Sequence, residues 1–335
     1  MRGAEYAVRL AAMGAIVALA AYGGAARRAC CEHGVVSEFQ FGVNFRGVPD
    51  AEQFRLLVRR MDELGFDVFA APDHLGAMGP FTVLAAAGML SDRLRLRTYV
   101  LNMGFWNPAL LAREAATVDV LSGGRAEVGL GAGHMKREHD DAGLPWLPFQ
   151  RRIEALEQVV TEVKRRLADA GHKPRPVQRP VPLMVAAMSG PGLEVAARHA
   201  DVIGFSGLRQ VAGAPPGTFR LSSAAETAGR VAEVRRRAGG RSYRSDALLQ
   251  QVVVGNHPRE AAAEMAAAVP RLSIEEILDS PFVLYAEDAG QAADELRRRR
   301  EVYGFDSVTV HQPSMEALGQ VIAAYRRGSR PAPPR

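Results

Sequence analysis

Residues 98–143 read TYVLNMGFWNPALLAREAATVDVLSGGRAEVGLGAGHMKREHDDAG. The apolar run at 94–101 leads into Asn107-Pro108, which opens a helix-periodic segment over 108–121, since Asn caps a helix start and Pro suits its first turn. Ser122-Gly123-Gly124 ends that segment, a second apolar run follows at 125–131, and a polar stretch closes the unit. Several strand runs of the chain are near-continuously apolar instead of alternating, which fits parallel strands buried on both faces and joined by crossover helices.

The same alternation extends in both directions. Strand candidates lie at 39–45, 67–72, 94–101, 125–131, 182–187, 201–206, 247–254 and 305–311, and helical patterns follow them at 50–64, 80–90, 108–121, 150–169, 191–199, 222–240, 258–268 and 314–326. A further helix is predicted over 289–303. Eight such units in one chain predict a (β/α)8 TIM barrel over residues 39–327, with insertions in its loops. The longer loops, 132–149, 207–221 and 269–288, are where a barrel carries function. The tail over 328–335 reads as disordered.

Composition narrows the class. At 47% apolar and 24% charged residues the chain can bury a large core, and its net charge of +5 is too small to make a nucleic-acid patch. The arginine runs at 235–237 and 297–300 stand beside Glu233, Glu295 and Glu301 and read as solvated helix faces. Cys30 and Cys31 are adjacent and alone, so neither a disulfide framework nor a zinc spacing is present, and no metal is expected. The extension over 1–38 contains a small-residue apolar run at 10–26 flanked by arginines. A signal peptide, a short membrane anchor and a translation start upstream of the barrel all fit it. The body carries no secreted signature, so a cytoplasmic protein without stable membrane association is expected.

In a barrel, chemistry sits at the C-terminal ends of the strands. That rule selects Asn44, Asp73-His74, Tyr99 to Asn102, His134 to Glu138, Met188 to Gly192, Ser206 and His311. An Asp-His pair at such an end can orient an imidazole for proton transfer near neutral pH, which makes Asp73 and His74 the catalytic candidates. Gly129, Gly131 and Gly133 alternate along a strand and its exit, where missing side chains let another backbone or a flat ring approach. The small residues from Met188 to Gly192 lead into a helix N-terminus that favours an anion.

These motifs together resemble the luciferase-like monooxygenases and oxidoreductases, which use a flavin or a deazaflavin. The resemblance covers about residues 39–326 and is strongest at 67–143 and 181–206. It implies a homodimer, a small-molecule substrate and a cofactor seated at the C-terminal face. It also implies a bulge with a non-proline cis peptide around Thr98-Tyr99-Val100, pressed against the central cofactor ring. His74 would handle the substrate proton with Asp73 orienting it. Asn44, Thr98, Tyr99, Val100, Asn102, Gly133, His134, Arg137, Met188, Ser189 and Gly190 would hold the cofactor, with phosphate at Met188-Ser189-Gly190 and the polyol or phosphate at Lys136 and Arg137. Glu138 matches a recurrent acid of the family. His134 stands where relatives often have Trp and points to coenzyme F420 and hydride transfer. FMN and oxygen activation form the alternative, and a non-catalytic binding subunit forms a third reading.

Overall fold

The structure is a computed structural model and describes residues 38–187, 190–214, 217–269 and 271–328. Apart from Glu38 and Gly328, the expected extension, with its signal-peptide and anchor readings, and the expected tail lie outside the described residues. In chain order the first half comprises β1 (Gln40–Asn44), α1 (Ala51–Leu64), β2 (Val68–Ala71), α2 (Pro80–Leu90), β3 (Arg95–Thr98), β4 (Leu101–Asn102), α3 (Pro108–Leu121), β5 (Ala126–Gly131), α4 (Lys136–Asp141) and α5 (Phe149–Ala168). Then come β6 (Leu183–Ala186), α6 (Gly190–His199), β7 (Val202–Phe205), β8 (Leu208–Gln210), β9 (Phe219–Leu221), α7 (Ala224–Ala238), β10 (Arg244–Leu249) and β11 (Gln251–Val254). The chain ends with α8 (Pro258–Ala268), α9 (Ile274–Asp279), β12 (Val283–Ala286), α10 (Ala289–Tyr303), β13 (Ser307–His311) and α11 (Met315–Gly328).

The predicted helix signals act as local chemistry requires. Asp50 accepts a hydrogen bond from the Gln53 N–H at 2.8 Å to start α1, and Gly65, at φ 82°, ends it. Asn107 accepts from the Ala109 N–H at 2.9 Å to start α3. The apolar faces of these helices pack on the outward residues of the strands, among them Phe41, Phe69, Leu96 and Val128, all fully buried.

Among the described residues, a nine-stranded parallel sheet runs β3-β2-β1-β13-β10-β7-β6-β5-β4 and closes through a β3–β5 pairing. β3 and β4 are two halves of one barrel strand, so the fold is the predicted (β/α)8 barrel. Arg97 pairs with Glu127, whereas Leu101 pairs with Leu130, so this strand carries one residue more than its neighbour. That is a β-bulge. The Tyr99–Val100 peptide within it is cis.

Two expectations change. The run at 247–254 is two strands: β10 stays in the barrel, while β11 leaves it to pair in parallel with β12. Gln250 marks the divide, its N–H bonded to the Phe282 carbonyl at 2.7 Å and its side chain to the Ser206 carbonyl at 2.7 Å. The loops also hold structure of their own: α4, the antiparallel β8–β9 hairpin, and α9, which starts at a Ser273–Glu276 capping box.

The barrel interior is charged at its centre. Arg97, wholly buried, donates to Glu127 at 2.7 Å and to Asp246 at 3.2 Å. Asp246 also accepts from the hydroxyls of Ser307 at 2.6 Å, Thr309 at 3.0 Å and Tyr99 at 2.6 Å. Glu127 accepts from Arg244 at 2.9 Å and from Arg95. Burial alone would raise the Glu127 carboxyl, but Arg97, Arg95 and Arg244 hold it well below the usual carboxylate range. Removing one partner of such a pair strands the other charge. Glu127→Ala is expected to cost about 3–5 kcal/mol of stability, measured as a loss of urea midpoint, whereas a loss below about 1 kcal/mol would mean the network contributes no more than a surface pair.

Candidate functional site

The C-terminal strand ends converge on one cavity of about 830 Å³. That size suits a cofactor together with a small substrate. Of the expected site residues, Asn44, Asp73, His74, Tyr99, Val100, Asn102, Gly133, His134 and Gly190 line it. Met188 and Ser189 lie outside the described residues.

His74 leaves the end of β2, and its Nδ1 lies 2.8 Å from a carboxylate oxygen of Glu138, carried by α4. The acid that orients the imidazole is therefore Glu138, not Asp73 as expected. Asp73 is engaged elsewhere: one oxygen accepts from the Asn102 N–H at 3.0 Å and from the Trp106 indole at 2.9 Å. Burial raises the Asp73 carboxyl above its ordinary range. Asp73 and His74 both line the cavity, but Asp73 is bonded to Asn102 and Trp106 while the His74 ring is bonded to Glu138, so the two are not hydrogen-bonded as a pair.

Two further expectations fail for geometric reasons. Arg137 does not line the cavity; its side chain is 88% exposed and pairs with Asp141 at 3.6 Å, one helical turn on. Lys136 pairs with Asp140 in the same way. The helical period of α4 turns these basic groups outward and Glu138 inward. Thr98 is fully buried beside β5, where its hydroxyl donates to the Gly129 carbonyl at 2.9 Å and accepts from the Gly129 N–H at 2.7 Å. It joins the bulged strand to its neighbour instead of facing the cavity.

The glycine alternation has a clear use. A side chain at Gly129 would run into the Thr98 carbonyl, and one at Gly131 would meet Val100 Cγ2 at 2.9 Å. The bulge thus seats itself in the grooves these glycines leave, and Val100 stands in the cavity wall against bare backbone. Such a wall accepts a flat ring. Gly133, at φ 74°, lies under Asn102, whose Oδ1 would be 2.5 Å from an added Cβ.

The exit loop of β5 is pinned from outside. Arg152 donates to the Gly133 carbonyl at 2.6 Å while its guanidinium stacks 3.7 Å from the centre of the Trp146 ring. His139 must donate from Nδ1 to the Pro145 carbonyl at 3.2 Å, so its Nε2 accepts from Asn102 Nδ2 at 3.0 Å. Trp106, Trp146 and Phe105 therefore anchor loops, and only Phe149 of that aromatic set lines the cavity.

His134 meets His74 edge-on, ring centres 5.6 Å apart. Burial, reinforced by His74, lowers the His134 imidazole below its ordinary value. Arg46, Arg209, Phe219, Leu248 and Gln250 also line the cavity and were not predicted. Arg209 and Phe219 sit on the β8–β9 hairpin, whose short strands carry no period long enough to read.

The family model for luciferase-like monooxygenases matches residues 32–310, more than half of the chain. This chain belongs to the luciferase-like monooxygenase family. The F420-dependent glucose-6-phosphate dehydrogenase of Intrasporangium calvum is 29% identical over 307 residues, which cover 78% of this chain and 91% of that one. The FMNH2-dependent dimethylsulfone monooxygenase of Pseudomonas putida is 30% identical over 135 residues, covering 36% and 37% of the two chains. The solved F420-dependent tetrahydromethanopterin reductase of Methanopyrus kandleri superposes with a TM-score of 0.67 at 18% identity, covering 88% of this luciferase-like chain and all of that one, a likeness of fold. Among the described residues, no helix is long and apolar enough to cross a membrane.

His311, at the end of β13, is lowered by burial and by Arg46 to about 4 from an ordinary 6.5. Its folded value lies below its unfolded one, so its contribution to stability is complete above pH 6.5 and is lost as the pH falls toward 4. The urea midpoint of His311→Gln should fall less than that of the wild type between pH 6.5 and pH 4, and equal slopes would mean that His311 is not held neutral.

Proposed function

We propose that this luciferase-like enzyme transfers hydride between coenzyme F420 and a small organic substrate. The observation that carries this reading is the His74–Glu138 pair at the cavity wall, beside His134 and the glycine-backed bulge. The bound deazaflavin would supply the two-electron hydride chemistry, and Val100, Tyr99, Gly133, His134 and Gly190 would hold it. His74 gives or takes a proton at Nε2, which has no partner among the described residues, while Glu138 fixes the ring through Nδ1. Asp73 serves by locking Asn102 and Trp106, which keeps the wall beside His74 closed.

FMN is the competing cofactor, favoured by the dimethylsulfone monooxygenase relative. The intact histidine-carboxylate geometry speaks against a non-catalytic subunit. The same reading places the enzyme in the cytoplasm, since a barrel without cysteines suits a reducing compartment. It also makes the enzyme a homodimer, for which α2 offers an outer face without charge at Thr82, Ala86, Met89 and Leu90.

Fluorescence titration of the purified protein with F420 and with FMN tests the choice. Saturable F420 binding is expected, with His74→Ala binding F420 as tightly as wild type but losing about 10²–10⁴-fold in turnover. FMN binding without F420 binding would overturn the cofactor, and undiminished turnover in His74→Ala would remove that residue from the reaction.

A further inference from the structure

The wall of the cavity formed by β13 and β1 lies across the barrel from β5 and β6 in the closed strand order. The β5–β6 side carries Gly131, Val100's seat and the turn into α6 at Gly190. A cofactor lying there leaves the opposite wall to the substrate, and that wall has unused polar atoms. Asn44 is 7% exposed and its Oδ1 has no hydrogen-bond partner among the described residues. His311 is its register partner on the adjacent strand, and His311 Nδ1 is likewise buried without a partner. Buried polar atoms left unbonded are costly, and two side by side at a cavity wall point to a polar group from outside the protein.

Arg46, two residues beyond Asn44, lines the same side. Its guanidinium makes no ion pair or hydrogen bond among the described residues, and its backbone is held in place because Gln312 accepts from the Arg46 N–H at 2.9 Å and donates to the Gly47 carbonyl at 3.3 Å. The carboxylates that line the cavity, Asp73 and Glu138, are already bonded to Trp106 and Asn102 and to His74. Nothing acidic on this wall competes for Arg46. Asn44 Oδ1 can only accept, so it calls for a donor such as a hydroxyl, and Arg46 calls for an anion.

We propose that Asn44, His311 and Arg46 form the substrate subsite, and that the substrate is a small hydroxylated molecule bearing a carboxylate or a phosphate. Its hydroxyl donates to Asn44 Oδ1 beside His311, and its anionic group pairs with Arg46 at the rim. This rests on the reading that the cofactor occupies the β5–β6 side.

The test uses the full chain saturated with F420 and three compounds of one skeleton: glycerate, glycerol 3-phosphate and glycerol, titrated by calorimetry. At least one of the two anions is expected to bind and glycerol is not, and the preferred anion identifies carboxylate or phosphate. Arg46→Met should weaken that binding about 10- to 100-fold, as loss of a hydrogen bond to a charged group does. Asn44→Ala should weaken it too, and, because Asn44 stands on the β1 wall and not on the cofactor's side as the resemblance implied, both variants should bind F420 as the wild type does. Glycerol binding as tightly as the anions, no binding by either anion, or an unchanged Arg46→Met would overturn the proposal. Weakened F420 binding in both variants would also overturn it, by moving the residues to the cofactor's side. If the wild type takes up no F420, the cofactor reading fails on its own, and the same titrations of the cofactor-free chain still decide the anion subsite.

Discussion

Arg97 sits at the centre of the barrel with no access to water, held between Glu127 and Asp246. Burying such a charge costs several kcal/mol, which the two carboxylates paired with it, from β5 and β10, offset. β3 supplies Arg97, β5 supplies Glu127, β10 supplies Asp246 and Arg244, and β13 supplies Ser307 and Thr309. The network fixes which residues face inward along these strands, since a shift of one residue would turn a charge into the apolar layer between sheet and helices. Its upper end is the Tyr99 hydroxyl on Asp246. Through Tyr99 the charged centre holds the bulge, and the bulge is the floor and wall of the cavity.

Above that floor the cavity divides by chemistry. Flat, backbone-lined wall stands at β4 and β5, where Gly129 and Gly131 receive the bulge. A hydrogen-bonded histidine and carboxylate stand beyond β2 and on α4, where Glu138 reaches back to His74 across 64 residues of sequence. Unsatisfied polar atoms and a free arginine stand at β13 and β1. Asn102 ties these parts together: its N–H holds Asp73, its side chain bonds His139 and accepts from Gly104, and it covers Gly133. A rigid scaffold of this kind keeps the His74–Glu138 pair in place before any ligand arrives.

Much of this was legible in the sequence because it is local. Apolar runs set the strands, Asp50, Asn107 and their prolines set helix starts, and the glycine alternation at 129–133 announced a close backbone approach. The partners of His74 were not legible, because two carboxylates were available and only the turn of α4 decides that Glu138 faces in while Arg137 faces out. The interior charges hid for another reason. Arg95 and Arg97 interrupt a run otherwise read as a buried strand, and only the closed barrel shows that Arg97 faces inward onto Glu127 and Asp246. The break between β10 and β11 was equally hidden, since both halves are apolar and differ only in their neighbours.

On the proposed reading the bulge at Tyr99–Val100 and the His74–Glu138 pair face one flat ring. A crystal structure of the enzyme with oxidised F420 tests it most directly. The ring is expected against Val100 and Gly131 with His74 at its edge and the phosphate near Gly190 at the start of α6. A ring bound outside this cavity, or one lying on the Asn44–His311 wall away from His74, would contradict it.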